Sequence, residues 1–274
     1  MRIALILRGI HYLENYEHKY GIPRYTIDYH DTLPTIQENI INALELQGHI
    51  VDVFLLSYHS KFESELIDIL KPKNYHFTEY KPIPLGKAQE DIGYPLMLDY
   101  HINAIDMIEE YEVKNNIQYD NLLITRFDLY YYKKITEIEI DHTCINYPFM
   151  HMAGPHRNIL SSEDNLIYFP RNKATMIKEA LIYLKNNLYE ARRHIWYNTH
   201  NLGEYLLNKG ETIKYLFGEK GDGAHDYPIY KFGRHIFGNV RDFNSVGENI
   251  AVPMNRIYHS EEERKNPQPI YLKI

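Results

Sequence analysis

DNLLITRFDLYYYKK, residues 120–134, is the stretch on which the reading of this chain turns. The apolar run Leu122-Leu123-Ile124 ends in Thr125-Arg126-Phe127-Asp128 and resumes at Leu129 with three tyrosines. A short apolar run between polar residues reads as a buried strand. On a strand Arg126 and Asp128, two apart, point to one face. A cation and a carboxylate together at the end of a central strand are costly to bury. Such a pair is often kept for an anionic ligand, frequently one bound through a divalent metal.

Working outward, the chain before this stretch alternates strand and helix patterns. Residues 3–7 (IALIL) read as a first strand and 50–56 (IVDVFLL) as a second, with a weaker third at 75–79. Residues 10–32 show no clear period and are expected to form a long loop or lid. Thr35 and Glu38 have capping-box spacing ahead of Ile40, Ala43 and Leu44, with Gly48 as a stop; Ser60 and Glu63 repeat the box. A further helix is expected over 95–112. This alternation predicts an α/β fold with a mostly parallel, doubly wound sheet flanked by helices. The second half is a mixture: a strand at 166–170 (LIYFP), helices at 172–187 and 202–209, and a strand at 213–217. Without a repeat or low-complexity linker, 1–274 is expected to be a single domain. Within it, 1–130 and 131–240 form two halves and 241–274 a surface tail.

Composition narrows the class. A net charge of −7 argues against a whole-molecule field that attracts nucleic acid. Cys144 is the only cysteine, which excludes an intrachain disulfide and fits a reducing compartment or a disulfide-free secreted protein. The opening apolar run stops at Arg8, too short for a signal peptide or anchor. No segment reaches the ~20 apolar residues of a spanning helix. A soluble, cytoplasmic protein is expected. Tyrosine is abundant, which AT-rich coding explains for most positions; flat rings that stack on sugars or bases are the functional alternative.

The ordered set Leu7-Arg8-Gly9, Asp52-Val53-Phe54 closing the second strand, and Thr125-Arg126-Phe127-Asp128-Leu129 resembles a group of GT-A-type glycosyltransferases. Asp164-Asn165 before LIYFPR and Glu204-Tyr205-Leu206 match the group's later pattern, so the resemblance covers roughly residues 2–218. In that group a nucleotide-sugar donor lies across the carboxyl ends of the parallel strands. An Arg-x-Asp element stands where better-known members carry Asp-x-Asp. The resemblance implies a GT-A-like fold, with 1–130 binding the nucleotide sugar and 131–240 the acceptor, a hydroxyl on a glycan or other molecule.

Roles follow for individual residues. Arg8, Gly9 and Arg126 are expected to contact the donor: a guanidinium offers phosphate a fork of donors, and Gly9 permits a tight turn. Asp128 is the expected ligand of a divalent ion, Mn²⁺ or Mg²⁺, since these take one or two carboxylates beside substrate phosphates. The missing first acid leaves a metal-free arrangement open, and Arg126 can equally hold Asp128 ionised. His225, in the glycine-rich segment 218–228, is a second metal candidate, with a surface loop as its plain reading. Asp164 and Glu204 are the candidate acids for deprotonating the acceptor. Glu204 has a structural alternative, reaching back to a capping Asn201. A non-catalytic nucleotide- or sugar-binding protein of the same fold is the competing reading. A serine or cysteine hydrolase is disfavoured, because no nucleophile elbow or Cys–His motif is present.

Overall fold

The computed structural model describes residues 1–16, 25–81, 94–151, 161–162, 164–190, 195–196, 198–217, 219–220, 230–232, 249–250 and 271–272. Seven strands form one sheet: β1 (Arg2–Arg8), β2 (Ile50–Tyr58), β3 (Asn74–Thr78), β4 (Asn121–Arg126), β5 (Ile145–Tyr147), β6 (Leu166–Pro170) and β7 (Ile213–Tyr215), in the spatial order β7-β5-β6-β4-β1-β2-β3. The expected α/β class with a mostly parallel sheet is present. Only β6 runs against its neighbours; β5 and β7 are again parallel to β4. Strands of the second half thus extend the sheet begun by the first.

The alternating parity of the strands sorts the core into two layers. Ala4, Ile6, Phe54, Leu56, Leu122 and Ile124 pack against helices α3 (Tyr94–Asn115), α4 (Ala174–Asn186) and α5 (Leu202–Asn208). Ile3, Leu5, Leu7, Val53, Leu55 and Leu123 face the other way, toward α1 (Tyr29–Ile36) and α2 (Glu63–Leu70). Both faces of the central strands are covered, which is why they read as continuous apolar runs. Among the described residues no helix is long and apolar enough to cross a membrane.

Three expectations are corrected. Residues 10–32 do not form only a loop: Tyr12–Tyr16 pairs antiparallel with Tyr25–Asp28. The first helix starts earlier than the Thr35 box, capped by Asp28, whose Oδ1 accepts from His30 N at 3.0 Å. It continues through a π-helical segment, Gln37–Asn42, to a last α turn, Ala43–Leu46. Thr35 lies inside it and accepts from Tyr131 N at 3.0 Å, while Thr32 donates to the Phe127 carbonyl at 2.6 Å. These two bonds hold the segment that follows β4. Third, Asp52 does not close β2 but stands near its start, where Arg2 (2.7 Å) and the Tyr119 hydroxyl (2.9 Å) satisfy it. The Ser60–Glu63 box is half formed: Glu63 Oε1 accepts from Ser60 N, but Ser60 Oγ accepts from Phe62 N rather than Glu63 N, and α2 starts only at Glu63. The expected surface tail 241–274 lies outside the described residues, except for Asn249–Ile250 paired with Tyr271–Leu272.

The start of α5 sits hard against the Ser161–Ser162 strand. A Cβ on Gly203 would overlap Ser162 Oγ, lie 2.9 Å from Ser162 Cβ and approach the Tyr215 hydroxyl at 3.3 Å. Alanine gains about 1 kcal/mol of helix propensity over glycine, whereas overpacking costs roughly 1–3 kcal/mol. Gly203→Ala is therefore expected to lower the urea midpoint; an unchanged or raised midpoint would show that Ser162 yields without cost.

Candidate functional site

The strand order places a topological switch at the middle of the sheet. From β1 the chain moves outward to β2 and β3, then returns to lay β4 on the opposite side of β1. Connections leave the two central strands in opposite directions, and α/β sheets bind ligands outside the carboxyl ends at such a point. The residues that end these two strands are Arg8 and Arg126, and they are register partners. Neighbouring strands are about 4.8 Å apart, so two cations are held side by side. Both continue the parity of Ile6 and Ile124, on the face covered by α3, α4 and α5.

Each arginine carries a carboxylate. Arg126 grips Asp128 with two parallel bonds, Nε to Oδ1 and Nη2 to Oδ2, both 2.8 Å, and its Nη1 reaches Asn165 Oδ1 at 3.3 Å. Arg8 Nη2 donates to the Asp164 carbonyl at 2.6 Å and lies 3.4 Å from Oδ2. Asp164 and Asn165 reach this end of the sheet because β6 is antiparallel: it begins where β1 and β4 finish, with Leu166 opposite Thr125. Thr199 Oγ1 donates to Asp164 Oδ2 at 2.5 Å, and His200 Nδ1 lies 3.9 Å from Oδ1. Gly9 turns the chain just past Arg8 with φ +92°, its N–H bonded to the Leu56 carbonyl at 3.0 Å. Among the described residues no atom crowds the place where a Cβ would sit, so glycine is needed there for its backbone angle.

The electrostatics follow from burial. Desolvation pushes the Arg8 guanidinium down to about 10, against the pull of Asp164 and with the repulsion of Arg126; it stays charged at neutral pH. Burial alone would raise the Asp164 carboxyl, but the positive charges of His200 and Arg8 outweigh it and hold the group well below the usual carboxylate range. Asp164 is thus at the site, as expected, but as a locked anion. A carboxylate that resists protonation this strongly makes a weak base. Arg8 Nε and His101 Nε2 are buried with no hydrogen-bonding partner among the described residues, unusual for buried polar atoms.

The other expected residues fare differently. Glu204 lies in the first turn of α5, but the cap is built one turn earlier. Asn198 Oδ1 accepts from His200 N at 2.8 Å and Asn201 Oδ1 accepts from Asn198 N at 3.0 Å. The expected Asn201–Glu204 box is replaced by an Asn198–Asn201 box. His225 lies outside the described residues. As for a divalent ion, both oxygens of Asp128 are engaged by Arg126, and an incoming cation would meet two guanidinium charges. Among the described residues no group of three His, Cys, Asp or Glu side chains converges. In this arrangement the Asp128 carboxylate is committed to Arg126, and a cation binding there would have to displace that fork.

Sequence reasoning missed Thr199 and His200, whose only signal was proximity to the Asn201–Glu204 segment, and His101, which lies inside α3 and carried no local signal. It also missed His11, fully buried between Ser57 Oγ (2.6 Å) and Ser60 Oγ (2.7 Å). No protein-family model matches the chain, and no curated protein matches it significantly. The resemblance to GT-A-type enzymes rests on the residues alone.

Two buried histidines give the fold a pH dependence. Desolvation lowers His11 from 6.5 to about 4 and His101 to about 3. The unfolded chain binds protons that the folded one refuses, so stability is full above pH ~6.5 and falls as pH drops toward the folded values. Each contributes on the order of 2 kcal/mol by about pH 5. Tm should fall on acidification over this range, and less steeply in His11→Gln; an identical slope in that variant would remove His11 from the account.

Proposed function

We propose that the chain is a glycosyltransferase of GT-A-like fold that takes a nucleoside diphosphate sugar at the switch point and passes the sugar to a hydroxyl acceptor. The observation that carries this reading is the register pairing of Arg8 with Arg126 at the carboxyl ends of β1 and β4. When the sugar leaves, charge concentrates on the departing diphosphate, and preorganised cations are the strongest means of stabilising it. Two guanidinium groups fixed by Asp164 and Asp128 supply that charge without reorganising. Arg126 is the more accessible, with 16% of its side chain exposed against 7% for Arg8, so it meets the diphosphate first. The bidentate Asp128 contact sets the plane of the Arg126 fork. This arrangement does not call on a protein-held metal ion.

One observation favours the competing reading of a non-catalytic nucleotide- or sugar-binding protein. Each arginine already has its own carboxylate, so the cluster is charge-balanced before any ligand arrives. Release of nucleoside diphosphate that depends on acceptor separates the two.

A thermal-shift series with UDP- and GDP-sugars in EDTA is the direct check, because a ligand that binds only the folded state raises Tm. A nucleotide sugar should raise Tm without added metal, and Arg126→Gln should weaken that binding at least about tenfold. Asp128→Asn should cut turnover by a similar factor by loosening the Arg126 fork. A Tm rise that appears only with Mn²⁺ would return Asp128 to the role of metal ligand.

A further inference from the structure

We propose that Ser60 is an activated nucleophile, with His11 as its base and Ser57 as the group that orients the base, and that it takes the acyl group of an uncharged carboxylic ester. This second site stands apart from the arginine pair. Ser57 continues the parity of Val53 and Leu55, so the cluster lies on the α1 and α2 face of the sheet, away from the layer that receives Arg8 and Arg126. No local motif announces it, because its three residues come from the loop after β1, the end of β2 and the turn before α2.

The hydrogen-bond network fixes where each proton sits. Ser57 Oγ donates its one proton to the Gly9 carbonyl at 2.6 Å, so toward His11 Nδ1, also 2.6 Å away, it can only accept. Nδ1 therefore carries the imidazole proton and Nε2 holds the lone pair. Ser60 Oγ lies 2.7 Å from Nε2 and accepts from Phe62 N at 3.0 Å, so its own proton points at the imidazole. A hydroxyl on a base that is itself oriented by a third group is the arrangement of an activated nucleophile. The ring is clamped by Tyr29 of α1, Phe77 of β3 and Phe127, with centroids 5.7–5.8 Å away. Burial holds it down at about 4, with Glu63 and Asp28 the charged groups acting on it, so it is neutral at physiological pH and able to accept a proton. His11 and Ser57 are fully buried, whereas Ser60 is partly exposed and open to a substrate.

The surroundings select the substrate. Glu63 Oε1 accepts from Ser60 N at 2.9 Å, which puts an anion beside the hydroxyl and disfavours phosphate esters. Phe62 and Tyr12, their ring centroids 4.6 Å apart, give the neighbouring surface an apolar character suited to a short acyl chain. In the first step the Ser60 proton moves to His11 Nε2 and Oγ bonds to the ester carbonyl carbon. The bond from that carbon to the alkoxide breaks, and the alkoxide leaves as an alcohol with the proton from Nε2. Water then gives a proton to Nε2 as its oxygen bonds to the acyl carbon. The bond to Oγ breaks, the proton returns to Oγ, and a carboxylic acid departs. One ester and one water give one acid and one alcohol.

The test uses a fluorophosphonate, which reacts covalently with activated serines, and p-nitrophenyl acetate as the ester. Peptide mass spectrometry of the unaltered protein should find the probe on Ser60 when the chain is folded and not after denaturation. His11→Gln should slow that labelling about a hundredfold, and Ser60→Ala should abolish both the label and the protein-dependent release of p-nitrophenol. Nitrogen-15 NMR of the unaltered protein should show the Nδ1-protonated tautomer of His11, and Ser57→Ala, which removes a positioning residue, should move that Nδ1 signal. A folded protein left unlabelled at Ser60, equal labelling before and after denaturation, or an Nε2-protonated His11 overturns the proposal without any variant. Ester hydrolysis that persists in Ser60→Ala overturns it as well. These readouts involve no nucleotide sugar, so their failure leaves the glycosyl-transfer reading to its own test.

Discussion

A buried carboxylate must be compensated, and Asp164 is the group on which that requirement falls in this protein. With its side chain 2% exposed it is held as an anion by Arg8, Thr199 and the imidazole of His200. These partners come from β1, at the centre of the parallel sheet, and from the turn before α5, some 190 residues later in the chain. Removing one partner of a buried ion pair costs roughly 3–5 kcal/mol, since the other is stranded. The contact therefore ties the two halves of the chain together at the point where a ligand is expected. The same contact fixes the Arg8 guanidinium at the end of its strand.

The sheet topology makes this contact possible. In a wholly parallel sheet, the segment entering β6 would lie at the amino end, far from Arg8. Because β6 is antiparallel, Asp164 and Asn165 arrive at the carboxyl end of β4 and meet both arginines. The switch between β1 and β4 gives two adjacent cations, and the one reversed strand delivers the polar groups that hold them. Helix α1 completes the frame through Thr32 and Thr35, which bond the backbone on either side of Asp128.

Much of this frame is legible from sequence because it rests on burial. Apolar runs marked β1, β2, β4 and β6, and the tight Arg8-Gly9 turn followed from a glycine next to a strand end. The adjacency of Arg8 and Arg126 was accessible too, once the strands were taken as parallel neighbours. What local pattern could not give were the choices between equivalent spacings. Asn198–Asn201 and Asn201–Glu204 are both three apart, and spacing does not choose between them. Thr35-x-x-Glu38 has the form of a helix start yet lies inside a helix begun at Asp28, because its threonine serves a tertiary bond. The Tyr12–Tyr16 hairpin was hidden for want of a turn dipeptide. His200 was overlooked because its partners, Ser162 and Asp164, are 38 and 36 positions away.

The central claim is that the paired arginines at the switch point receive a diphosphate. Arginine Nε–H signals can be followed by proton–nitrogen NMR while UDP or GDP is added in EDTA, with the matching nucleosides as controls. The account predicts that one diphosphate shifts the Arg8 and Arg126 Nε signals together and saturably, and that its nucleoside leaves them in place. Saturable binding that moves neither signal, or no binding of either diphosphate, would contradict it.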